Sequence, residues 1–281
     1  MDIVLRATDD YFFTPYVYPQ SWQRDDIWRQ IISLSLIVNI GGYLLYIIPT
    51  TLDYLFIFDK SLMKHPQFMK DQVKLEIFYA SKSIPLMGAL TTIVFLFEVR
   101  GYSKLYDNWN DTPYGVFGMG LSILSFMFFN DMMIYWIHRF LHYRWFYKYI
   151  HKDHHKWKIP SPFASHAFHP IDGFLQSTPY HIYPFLFPLH KATYLVLFIC
   201  VNLWTVSIHD GDFRVPKVLQ SVVNGSAHHL DHHVYYNYNY GQYLTLWDRI
   251  GGSFRNPSSY EGKGPKEDVH RLLVGKAAKA E

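Results

Sequence analysis

A single cysteine, Cys200, leaves no partner for an internal disulfide, and its place inside an apolar run gives no sign of an oxidising compartment. Charge of either sign is scarce: 26 Lys and Arg against 23 Asp and Glu leave a formal net charge of +3. Basic and acidic residues alternate, and without a basic stripe no nucleic-acid partner is expected. The N-terminus, MDIVLRATDDYFF, has neither a basic leader nor a small-residue cleavage site, so no removable signal peptide is expected. No repeat is visible apart from recurring clusters of histidine.

Uncharged runs are what the chain has in abundance. Ile31–Ile48 and Ala192–Ile208 carry no charge, nor does the shorter Ile84–Leu96, and Phe117–Ile137 is interrupted mainly by Asn130 and Asp131. A bilayer-crossing helix needs about 20 mainly apolar residues. The first run and the one at 117–137 meet that length, and Ile84–Leu96 does so only if extended toward Val99. A mean hydropathy of −0.05 reflects the polar, aromatic remainder. The expected fold is an all-α integral membrane protein of about four to five membrane-embedded helices, with a cytosolic helical His-rich cap holding a dimetal centre. Residues 1–30 read as an interfacial segment, 31–137 as transmembrane helices, 138–265 as the catalytic region and 266–281 as a polar tail. Lysines mark 59–83 as a polar link.

Eleven of the sixteen histidines lie in four clusters: His138/His142, His151/His154/His155, His166/His169 and His228/His229/His232/His233. Residues three or four apart share a helix face, so three of these clusters each form one imidazole patch. Imidazole is the commonest metal-ligating side chain. Eight ring nitrogens converging from three patches exceed one tetrahedral zinc and suit two open-shell metals. These eight and His228 beside them are candidate ligands, with His209 and His169 added because they stand where an embedded hairpin, near 171–208, meets the cap. The hairpin is required because every cluster must lie on one side of the membrane; its tip is expected at Pro188–Lys191. His166 is not included, and His65, His181, His190 and His270 read as ordinary. Asp153, Asp210 and Asp231 adjoin ligands, Asp131 lies seven residues before His138 on the same helical face, and all four are candidates to fix imidazole tautomers. His142 and His151 are nine residues apart, about 900° of helix, and so face opposite ways on a straight rod. Either the chain turns between Tyr143 and Ile150 or the two patches serve different metals. If the His side is cytosolic, the five-lysine link is too, in keeping with the positive-inside tendency.

His-Arg-x2-His at 138–142, His-Lys-x-His-His at 151–155 and His-His-x-Asp-His-His at 228–233 resemble the fatty acid hydroxylase superfamily of membrane di-iron enzymes. The stretches 156–173 (KWKIPSPFASHAFHPIDG), Ser207–Phe213 and Tyr240–Phe254 resemble its sterol C5-desaturase branch. Tyr143 departs from the pattern, standing where a further histidine is expected. The resemblance implies two iron ions, O2 as oxidant, and removal of hydrogen from C5 and C6 of a Δ7 sterol on the way to cholesterol. It also implies an endoplasmic reticulum location and electrons from cytochrome b5 and an NAD(P)H-dependent reductase. No heme domain or dinucleotide fingerprint is visible, so those carriers are separate proteins. An unactivated C–H bond requires a cofactor's chemistry rather than a side chain's.

Two other readings compete. A sterol or fatty-acyl hydroxylase or C4-methyl oxidase shares the first hydrogen abstraction, and the His boxes do not separate it from a desaturase. A metal transporter or sensor would place its ligands at mid-membrane on broken helices, whereas these clusters flank the spans.

Overall fold

In the computed structural model, residues 1–112, 114–211 and 215–277 are described. Asp212 and Phe213 of the Ser207–Phe213 motif, and tail residues 278–281, lie outside them. The N-terminal segment forms a short helix α1 (Asp2–Thr8) and a π-helical stretch, Asp9–Val17. It is tied down by Arg29, whose guanidinium is buried, donates to Asp9 at 2.8 Å and Thr14 at 2.7 Å, and lies over the Tyr18 ring. A buried charge persists only when paired in this way.

Asp26 accepts from the amides of Trp28 and Arg29 and so caps α2 (Ile27–Phe56). The second long helix, α3 (Gln72–Phe97), runs on through π-helical residues to Tyr102. It therefore starts a dozen residues before the expected span near 84–99, inside the segment expected as a polar link. The reason lies in where its polar residues point. Gln72 Nε2 donates to Ile159 O and to Glu76 at 2.7 Å each, and Glu76 accepts from the amide and hydroxyl of Ser161. The polar pattern at 72–76 is the buried face of a helix against the 159–161 turn, not a loop.

Helix α4 (Gly115–Leu141) carries His138 in its last turn. At Tyr143 the backbone becomes extended (ψ 139°) before α5 (Arg144–Phe146) and a π-helical stretch to His151. The chain thus turns between the first two His clusters, which resolves the facing problem without Pro or Gly. Helices α6 (Pro170–Leu186) and α7 (Lys191–Ser207) form the hairpin. Its tip residues Leu189–His190 pair in parallel with Leu105–Tyr106, so it reaches the loop before α4, at the end of that helix opposite His138. This two-residue pairing is a small departure from an all-α fold.

The chain closes with α8 (Ser226–Tyr235), α9 (Leu246–Ile250) and α10 (Pro265–Ala277). The expected tail thus begins as a helix, tied to the 57–71 link by Lys266–Asp59 at 3.2 Å. Among the described residues, three helices are long and apolar enough to cross a membrane: Ile27–Phe56, Gln72–Tyr102 and Gly115–Leu141. Helices α6 and α7, at 17 residues each, are shorter.

Candidate metal centre

Nine buried or half-buried imidazoles gather where α4, the 147–156 segment, the end of α7 and α8 meet. His138, His142, His151, His155 and His232 form one group, and His154, His209, His229 and His233 the other. Within each group the ligating atoms lie within 4.8 Å of one another. The groups adjoin: the rings of His155 and His233 are 5.0 Å apart. Two of the three sequence clusters are therefore split. His154 leaves His151 and His155 because a tight 3₁₀ turn, His154–Lys156, follows His151, and on α8 His232 faces the first group while His229 and His233 face the second.

The chemistry of the donor set fits a metal. His138 Nδ1 donates to Tyr240 O at 3.0 Å, and His151 Nδ1 to Asp172 Oδ2 at 2.7 Å. In the neutral rings this puts both protons on Nδ1, yet the two Nε2 atoms face each other at 3.2 Å. Two bare lone pairs at that distance repel unless a cation lies between them. His209 Nδ1 donates to Thr205 O, and His232 Nδ1 to Tyr238 O, both at 2.7 Å, so their Nε2 atoms are freed in the same way. Nε2 atoms from other pairs in the two groups stand 3.0–3.1 Å apart. Two ligands at right angles, each about 2.1 Å from a metal, would be about 3.0 Å apart. Burial, followed by neighbouring imidazoles, holds His142, His154, His155, His229, His232 and His233 well below the ordinary histidine range. The rings are neutral at physiological pH, the form that binds metal.

Two expected ligands stand outside both groups. His169 is the N-cap of α6, its Nδ1 accepting from the Ile171 amide at 3.2 Å. His228 points the other way on α8, packed near Phe254 and Tyr260 with burial pushing it down to about 4. We predict that His228→Ala leaves metal content at the wild-type level while His229→Ala lowers it, as elemental analysis of the purified proteins would read.

The carboxylates are redistributed as well. Asp172, which the sequence reading passed over, is fully buried and holds His151, and Gln176 Nε2 donates to its other oxygen at 2.7 Å. Its signal was an acid in the first turn of a helix entering apolar surroundings, just after His169-Pro170. Asp131 instead accepts from the amides of Tyr243 and Leu244 at 2.7 and 3.3 Å, anchoring the Tyr-rich loop. Asp231 faces Arg255 and Ser258, Asp153 is exposed, and Asp210 is buried beside His209. Asp248, also missed, accepts from the amides of Tyr240 and Gly241 at 2.8 Å and so positions the carbonyl that holds His138.

A largely apolar cavity of about 380 Å³ opens onto His138, His154, His209 and His229. It runs between α2, α3, α6 and α7 toward Val4 and Phe95 and is lined on the way by Ile84, Met87 and Phe198.

The fatty acid hydroxylase family model matches residues 123–253, a range that contains all nine imidazoles. The chain is 64% identical over 276 residues to lathosterol oxidase of Homo sapiens, covering 98% of this chain and 92% of that one. It is 62% identical to lathosterol oxidase of Mus musculus, with 97% and 91% covered. Against a Delta(7)-sterol 5(6)-desaturase of Schizosaccharomyces pombe it is 51% identical, with 92% and 84% covered. No solved structure matches. The chain belongs to the fatty acid hydroxylase family, in the branch of the sterol 5(6)-desaturases and lathosterol oxidases.

Proposed function

We propose that this protein is a membrane-embedded, O2-dependent oxidase that introduces the C5–C6 double bond into a Δ7 sterol, turning lathosterol into 7-dehydrocholesterol in cholesterol biosynthesis. The observation that carries the reading is a largely apolar cavity of about 380 Å³ ending on imidazoles of both metal groups. Family membership with sterol desaturases selects this substrate over a fatty acyl chain. The balance is two hydrogens from C5 and C6, two further electrons and two protons, reducing O2 to two waters. Electrons come from a separate donor, cytochrome b5 with its NAD(P)H-dependent reductase.

His138, His142, His151, His155 and His232 would hold one iron, and His154, His209, His229 and His233 the other. Bound iron supplies the O2 activation that an unactivated C–H bond requires. The protein's own part is positional. The carbonyls of Tyr240, Thr205 and Tyr238, with the Asp172 carboxylate, keep four rings in the Nε2-ligating tautomer. Ile134, Met87 and Phe168 line the cavity beside the histidines and exclude water from the reacting carbons. Exposed Lys60, Lys64 and Lys70 in the 57–71 link, with Lys148, Lys152 and Lys156 near the site, support a cytosolic His face on the endoplasmic reticulum. The α6–α7 hairpin, reaching the loop before α4, supports four to five embedded helices.

Expression in cells lacking sterol 5-desaturase, with sterols profiled by mass spectrometry beside a His151→Ala control, tests the reading. Conversion of a Δ7 sterol to its 5,7-diene by the wild type alone is the expected outcome. Oxygenated sterols or acyl products in its place would move the protein to the hydroxylases.

A further inference from the structure

Most of the cavity wall is apolar, but close to the imidazoles it carries a donor–acceptor pair that the metal centre does not use. Asn202 sits on α7 one turn before Thr205, whose carbonyl holds His209. Its Nδ2 donates to Phe198 O at 2.8 Å, which turns Oδ1 toward His166. His166 comes from the 162–166 turn; its Nδ1 is 3.1 Å from the Ser165 hydroxyl. With that hydroxyl donating to Nδ1, the ring proton lies on Nε2, 3.4 Å from Asn202 Oδ1. At this length the mutual bond is weak, and both groups line the cavity. An alcohol that accepts from Nε2–H and donates to Oδ1 satisfies both.

We propose that His166 and Asn202 anchor the 3-hydroxyl of the sterol and so set which carbons reach the metal centre. The proposal rests on the sterol desaturase reading above. In a Δ7 sterol the 3-oxygen is three bonds from C5, so its anchor must lie near the imidazoles, as this pair does. Another polar pair in the wall, Thr91 and His181, lies deeper: His181 is nine residues along α6 from Asp172, about 13 Å. With the hydroxyl at Asn202, the sterol's alkyl tail extends past Phe198 and Phe95 toward Val4. Both residues are positioning groups, not catalytic ones.

The test measures equilibrium binding of a radiolabelled Δ7 sterol and its 3-O-methyl ether to the purified full-length protein in nanodiscs. The ether can accept but not donate. Wild type is expected to favour the alcohol by about 10-fold, within the range of one hydrogen bond. Asn202→Leu should bring that ratio to within about twofold, whereas His166→Leu, which removes a donor that both ligands use, should weaken both and leave the ratio near the wild-type value. In turnover assays the same variants should raise KM for the alcohol while kcat stays within about threefold. Wild-type iron content reports that each variant is folded; if Asn202→Leu fails this, Asn202→Ala carries the test. An undiminished preference in a folded Asn202 variant, unchanged affinity for both ligands in His166→Leu, no preference in wild type, or loss through Thr91→Val alone would overturn the proposal. An Asn202-dependent preference in a protein that forms no 5,7-diene would uphold the anchor and reject the desaturase reading.

Discussion

Replacing His155 by alanine is expected to cut sterol desaturation by more than about 100-fold, above the range for losing a group that merely supports a ligand. His155 Nε2 lies 3.1 Å from the Nε2 atoms of both His142 and His151, and its ring is 5.0 Å from His233. It therefore stands at the junction of the two groups, and removing it opens one group and loosens the boundary of the other. His270→Ala, on the exposed face of α10, should leave turnover unchanged. Sterol profiles normalised to membrane-bound protein would check the pair. Equal activity in both variants would remove His155 from the centre.

Asp172→Ala should lower metal affinity, and turnover with it, by about 10- to 100-fold. The carboxylate holds His151 on Nδ1 at 2.7 Å and is itself held by Gln176, with no solvent to take over either bond. Without it the buried His151 ring is free to rotate and to exchange tautomers, and Nε2 is no longer fixed toward His138. Asp172→Asn, which keeps an acceptor, should lose less. Asp153→Ala, at an exposed position, should match wild type. Chelator titration of the purified proteins reads the affinity directly. A loss on Asp153→Ala as large as that on Asp172→Ala would show that charge near the site, rather than this hydrogen bond, sustains metal binding.

The difference between Asp153 and Asp172 shows what a sequence can and cannot carry. Helical spacing made the three histidine clusters legible and apolar runs the presence of the long helices, because both depend on local sequence. Which histidine serves which group depends on tertiary geometry: the turn at Tyr143 and the 3₁₀ turn after His151 have no Pro or Gly to announce them. Adjacency to a ligand favoured Asp153, yet the side chain that reaches His151 comes from 21 residues away. His228 follows the same rule in reverse. It sits beside His229 in sequence, and the 100° step of the helix turns it toward Phe254 and Tyr260. The early start of α3 was hidden because polar residues at 72–76 look like a loop until Ser161 and Ile159 are seen to bury them.

We propose that nine imidazoles form two metal sites that drive one sterol oxidation. Iron content of the purified, catalytically active protein tests it most directly. Two irons per chain are expected, with less in both His155→Ala and His229→Ala and no loss in His228→Ala. An active wild-type protein carrying one iron or none would contradict the account.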